Sequence, residues 1–319
     1  MTIKDIAERA ADKMNFVKIE YYIEFAERYL DFKDNGVQAT IISQNEINYF
    51  FYQYKEDGFY NVTRPINTSL IYDTTTAQDR HKTFCETLQR LRDPSCNPIG
   101  DRENLLRVIY TLQQSIGAAL DGLPSGQSNK ARKVNGDLFE RLIQLIFQRL
   151  NIDCVSGTIQ VPVKIAGDVA FRMNDQHDLL IKKDGDLKVI GSVKTSSKDR
   201  IDKIFMDKFL YSKLTETSLP HIAIFLNDVQ RKATSSPQKY GISSTFLPGH
   251  FKGFTIKLNP LDGVYYCDIR PNMKTDLILK DYIKTIDHLF FDDIWPFFEN
   301  AKDEVEVEVK AEDPASEGN

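Results

Sequence analysis

The stretch that most constrains this chain covers residues 136–228, where a strongly periodic helix precedes a fixed series of strands. In residues 137–150 (DLFERLIQLIFQRL) the apolar positions Leu138, Leu142, Leu145, Ile146 and Phe147 recur at three- and four-residue steps, the stripe a core-facing helix needs. Strand-like runs follow over 158–164, 177–182 and 187–195. A second helical pattern over 199–217 leads to the apolar run 222–226, which reads as a buried strand. A helix separates the last two strands, so they need a crossover and should lie parallel with a right-handed connection. The pattern predicts an α/β (α+β) core of helix, three strands, helix and strand on a mixed sheet.

Two residues in that frame carry chemistry. Asp178 stands in His177-Asp178-Leu179-Leu180-Ile181, and Lys194 in Gly191-Ser192-Val193-Lys194-Thr195. Between them Lys183-Asp184-Gly185-Asp186 has the Asp-Gly signal of a tight hairpin. Side chains alternate along a strand, so Ser192 and Lys194 emerge on one face, and Asp178 reaches the same place if the hairpin register is right. A carboxylate beside a lysine at a sheet edge can hold a divalent cation and activate water against a phosphodiester.

Asp178, the Ser192-Val193-Lys194 triplet and Glu140 on the preceding helix make the chain resemble the PD-(D/E)xK nuclease superfamily, in particular the type II restriction endonucleases. The run Lys194-Thr-Ser-Ser-Lys-Asp-Arg200 is also similar to a segment that follows the catalytic lysine in several restriction enzymes. The likeness covers about residues 130–228, under a third of the chain. It implies a restriction-endonuclease-like core and a Mg2+-dependent endonuclease of double-stranded DNA. Asp178, Glu140 and the carbonyl of Val193 would be metal ligands, and Lys194 would be catalytic. It also implies a homodimer cutting a symmetric site and a cognate methyltransferase in the same system. His177 replaces the family's usual proline, and Ser192 its usual second acid. Some enzymes with a Ser-x-Lys triplet recruit an acid from the following helix, and the residue thirteen places past the lysine here is Asp207. Two other classes share these residues: a structure-specific or repair nuclease of the same fold, and a DNA-binding protein with an inactive core, for which Ser192 is the motive.

Charge fits a nucleic-acid partner only once it is divided along the chain. The net charge is -5, and residues 301–319 alone hold seven acids and two lysines, which leaves the preceding 300 residues neutral. Residues 130–213 hold sixteen Lys and Arg against eleven Asp and Glu, a basic block suited to phosphates. Lys133, Lys198 and Arg200 are the candidate DNA-backbone contacts within it. The four cysteines are scattered, with no CxxC or Cys/His cluster, which points to free thiols in a reducing cytoplasm. There is no secretory leader pattern at the N-terminus and no membrane-length apolar run. Phosphate-loop, nucleophile-elbow and HExxH motifs are absent, and without an ATPase motif a free-standing restriction enzyme fits better than a motor-coupled nuclease.

The remaining chain divides at the breaker-rich segment 124–129. Residues 1–125 read as a mainly helical region for DNA recognition or dimerisation, with helical patterns at 3–33, 77–91 and 104–123. Residues 49–54 (YFFYQY) form an aromatic run that suits strand, core or base stacking. The nuclease core spans 126–300. Its later part should hold a polar, basic stretch over 230–240, a hairpin pairing 251–257 with 264–268, and a helix over 280–291. Residues 301–319 read as a disordered acidic tail.

Overall fold

The structure, a computed structural model, describes residues 2–54, 62–91, 99–197, 200–236, 239–300 and 308–311. Helix α1 (Ile3–Ala11) starts at a capping box in which the Thr2 hydroxyl accepts from the Asp5 amide and the Asp5 carboxylate from the Thr2 amide. A 3-10 turn leads to α2 (Ile19–Gly36) and then to an antiparallel sheet of β1 (Val37–Ile42), β2 (Tyr49–Tyr54) and β3 (Ile66–Asn67). Helix α3 (Thr74–Arg90) is capped by Asp73, and α4 (Ile99–Leu120) is buried along most of its length. The aromatic run is β2, with Tyr49, Phe51 and Tyr54 buried, so its rings are core and not a platform for bases.

The frame read from the sequence begins with α5 (Ser128–Arg149), ten residues before the first position of its apolar stripe, Leu138, so Lys130, Arg132 and Lys133 are helical. Strands β4 (Asp153–Ile165) and β5 (Asp168–Lys183) form a hairpin longer than expected, turning at Ala166 and Gly167, both with positive φ. Strand β6 (Asp186–Ser196) follows through Asp184 and Gly185, also both at positive φ, as an Asp-Gly hairpin turn requires. Helix α6 (Ile201–Thr215) crosses to β7 (His221–Asn227), which pairs with β6 in parallel as the crossover demanded. Then come the two-stranded β8 (Val229–Ala233) and β9 (Tyr240–Ser244), α7 (Pro248–Lys257), β10 (Gly263–Tyr266), α8 (Pro271–Thr275), α9 (Leu279–Tyr282) and β11 (Ile283–Thr285). Helix α10 (Ile286–His288) continues through a π-helical turn into α11 (Ile294–Asn300), and β12 (Glu308–Ala311) closes the order.

Seven strands make one mixed sheet in the order β11-β10-β7-β6-β5-β4-β12. Helices α1 to α5 cover one face through a core that includes Leu142, Ile146, Leu179, Val193, Ile224 and Leu289. That core runs unbroken past residue 125, joining α2 and α4 to α5 and the sheet. Helices α6 and α7 cover the other face, where Phe205, Ala223, Phe225 and Phe251 pack together. Strand β7 is buried at every position because it has helices on both faces.

Three expectations are corrected. Residues 251–257 belong to α7 and not to a hairpin: Pro248 opens the helix, and Phe251 and Phe254 both pack their rings on Phe205 at 5.6 and 5.5 Å. The helix over 280–291 is broken, because Ile283–Thr285 pairs in parallel with β10. Part of the acidic tail, Glu308–Ala311, is a strand paired antiparallel with Gly157–Gln160 of β4. Among the described residues no helix is long and apolar enough to cross a membrane.

Candidate active site

The site begins with an irregularity in β5. Leu180 pairs with Val155 of β4 and His177 with Gly157, so two residues, Asp178 and Leu179, oppose the single residue Ser156. This is a β-bulge, which resets the side-chain alternation of one strand. His177 and Leu180 both pack on the α6 side, near His221 and Tyr211 respectively. Leu179 joins the α5-side core, and Asp178 turns toward α5 beside it. Without the extra residue, strict alternation would send Asp178 and Leu179 to opposite faces. The amide Nε2 of Gln144, one helical turn past Glu140, donates to the Asp178 carbonyl at 3.0 Å and ties the bulge to α5.

Three charged side chains meet there. The Lys194 ammonium, at the end of β6, donates to Asp178 Oδ2 and, at 3.1 Å, to Glu140 Oε1. Asp178 Oδ2 also accepts from the Val193 amide at 2.8 Å, which fixes the carboxylate against the strand. About a fifth to a quarter of each of the three side chains reaches solvent, so the group is sheltered yet accessible. Burial raises Glu140 to about 7, with Asp178's like charge adding to the shift and Lys194 opposing it. Burial works against the charged form of Lys194, but Asp178 and Glu140 outweigh it and hold its pKa above the ordinary value. The two carboxylates therefore hold Lys194 in its charged form.

The structure thus gathers Asp178, Lys194, Glu140 and the Val193 backbone. Ser192 is half-buried on β6 opposite Ala223 and has no charge to add to the group. Asp207 is not part of it. Its ion-pair partner is Lys203 at 3.6 Å, burial raises its pKa, and it also feels the charges of Asp175 and His177 on the same side of the sheet. Lys133 and Arg200 are exposed, at the start of α5 and just before α6, and Lys198 lies outside the described residues. Among the described residues no three His, Cys, Asp or Glu side chains gather as a metal cluster. The donor set still suits Mg2+, which is commonly held by one or two carboxylates, with waters and substrate phosphate completing the shell.

Sequence reasoning missed Gln144, although its place four residues past Glu140 puts both on one helix face. It also missed a buried polar group on the α6 side. His177 Nε2 lies 3.2 Å from Asp175 without hydrogen-bond geometry, and His221 Nε2 and the Tyr211 hydroxyl have no partner. No period in the sequence marks such a cluster, because its members come from β5, α6 and β7.

No family model matches the chain, and no curated protein matches it. Among solved structures it is similar to the crystal structure of the Type IIP restriction endonuclease Kpn2I, with a TM-score of 0.68 and 18% identity over 94% of this chain and 99% of that one. The fold therefore resembles that of a type II restriction endonuclease across nearly the whole length of both chains.

Proposed function

We propose that this protein is a Mg2+-dependent endonuclease of double-stranded DNA, working as a type II restriction enzyme. One observation carries the reading: the Lys194 ammonium sits between the Asp178 and Glu140 carboxylates at the end of β6, within a fold similar to that of a Type IIP restriction endonuclease. Asp178, Glu140 and the Val193 carbonyl would hold the metal. When bound, Mg2+ supplies a Lewis acid for the phosphate and lowers the pKa of a bound water. Lys194, held charged, stabilises the negative charge that builds on the scissile phosphate. Asp178 is fixed by the Val193 amide, so the position of its free oxygen is set before substrate arrives. Glu140 supplies the second carboxylate that Ser192 lacks, which favours an active nuclease over an inactive DNA-binding core. Arg200 and Lys133 would meet the backbone, and cutting both strands at a symmetric site would take a homodimer.

The test is plasmid or phage DNA incubated with the purified chain and Mg2+. Discrete fragments of fixed size, abolished by EDTA, support a restriction enzyme. Cutting only at branched or damaged DNA would replace that reading with the repair nuclease.

A further inference from the structure

The β8–β9 hairpin lies outside the catalytic frame, yet it grows from the same edge of the sheet. Residue pairs Lys194–Phe225 and Ser196–Asn227 bring the ends of β6 and β7 level, and β8 begins two residues past Asn227. At the far end of β9, Thr245 donates to the Asp228 carbonyl at 2.8 Å, and its hydroxyl lies 3.2 Å from Ser196 and 3.3 Å from Ser197. Both feet of the hairpin therefore stand within a few residues of Lys194. The base is fixed sideways as well. Val229 and Ile242 pack on Tyr49 and Phe51, and the Asn45 side chain brackets Ile242 by bonding both its amide and its carbonyl.

Beyond that base β8 is open. Gln230, Arg231, Lys232 and Ala233 are exposed in succession, so neither face of the strand is covered there. The turn is closed by the Thr234 hydroxyl on the Lys239 carbonyl at 2.8 Å. Arg231 is partly committed to the fold, bonding the Val62 carbonyl and lying over the Tyr240 ring. Lys232 and Lys239 have no acidic partner among the described residues.

The surrounding sequence is unusual for an acidic protein. Residues 229–261 contain five Lys and Arg and no Asp or Glu. At the chain's average of 46 acids in 319 residues, that stretch would hold about five. A solvated surface interleaves both signs, whereas a strand of cations and hydroxyls without acids matches a polyanion. Two five-residue strands reach about 16 Å at 3.3 Å per residue, roughly five nucleotide steps of a DNA strand.

We infer that the β8–β9 hairpin is an arm that grips the backbone of duplex DNA next to the cleavage site, with Lys232 and Lys239 as its phosphate contacts. The inference rests on the nuclease reading for the identity of the polyanion. The experiment measures affinity of the full-length chain for a duplex, without metal, across a range of salt concentrations. It compares wild type with the double variant Lys232→Gln/Lys239→Gln. Each lost phosphate contact lowers the log–log slope by about 0.9, so the variant should be shallower by about 2 and bind about 60-fold more weakly at 0.1 M salt. Lys232→Arg/Lys239→Arg should restore the slope, and the thermal midpoint of both variants should match wild type. An unchanged slope in the folded Gln variant overturns the arm, even if wild type cuts DNA. A wild type that binds duplex with the lysine-dependent slope but never cuts overturns the nuclease reading and leaves the arm standing.

Discussion

The two faces of β5 hold similar residues in opposite states. Toward α5, Asp178 and Glu140 share Lys194, and every charge has a partner and some access to water. Toward α6, Asp175 lies beside His177, His177 packs on His221 and His221 on Tyr211, with the His221 Nε2 and Tyr211 hydroxyl left without hydrogen bonds. Burial pulls His221 down to about 3, so it is neutral in the folded protein at ordinary pH. What separates the faces is the bulge at Asp178 and Leu179. A carboxylate on β5 meets Lys194 or His177 according to which way the strand turns it.

The strongest test of that contrast is loss of the α5-side group. Asp178→Ala or Lys194→Ala should lower cleavage by three orders of magnitude or more, about 4 kcal/mol of transition-state stabilisation, with an unchanged circular-dichroism spectrum. Near-normal cutting by either variant would remove the site.

A sharper comparison sets one acid from each face against the other. Glu140→Gln should cost on the order of 10²-fold in cleavage rate, while Asp207→Asn should stay within about threefold of wild type. The reverse ranking would move the second carboxylate to α6, where the spacing from Lys194 first suggested it.

The α6 face should show itself in stability against acid. His221 titrates at about 3 when folded and near 6.5 when unfolded, so the unfolded chain binds the extra proton first. Its contribution is full above pH 6.5 and is lost as pH falls toward 3, at up to about 1.4 kcal/mol per unit. Urea unfolding at pH 7 and pH 5 should therefore differ by about 2 kcal/mol from this group alone. In His221→Leu that component should vanish; an equal pH dependence in the variant would assign it elsewhere.

The smallest expected effect concerns the bulge itself. Gln144→Leu removes the donor to the Asp178 carbonyl and should cost about 1–3 kcal/mol in stability. It should also lower the cleavage rate more than it changes DNA affinity, since it loosens the aim of Asp178 and not the DNA contacts. Equal loss of rate and affinity would point to general damage.

Element type was legible where local periodicity and burial agreed. The α5 stripe, the Asp-Gly turn into β6 and the apolar β7 all formed as the residue pattern requires. Residues 251–257 deceived because Phe251, Phe254 and Ile256 fit a strand nearly as well as a helix, and only Phe205 across the gap decides. Ile283–Thr285 has a helical neighbourhood but is claimed by the open edge of β10. In the site, Asp178 and Lys194 were visible from strand position and residue type, and Glu140 only through the family resemblance.

By itself, the sequence determined the order of elements over residues 136–228, the parallel crossover from β6 to β7 and the ionisable residues offered along that frame, because these depend on short-range pattern and chain connectivity. Only the tertiary structure decided which acids meet Lys194. For Asp178 that choice turns on one extra residue in β5, and a bulge is set by pairing with a partner strand, which no local period records. Packing of α5 and α6 on opposite faces of the sheet brought Glu140 to the lysine and left Asp207 beside Lys203, Asp175 and His177.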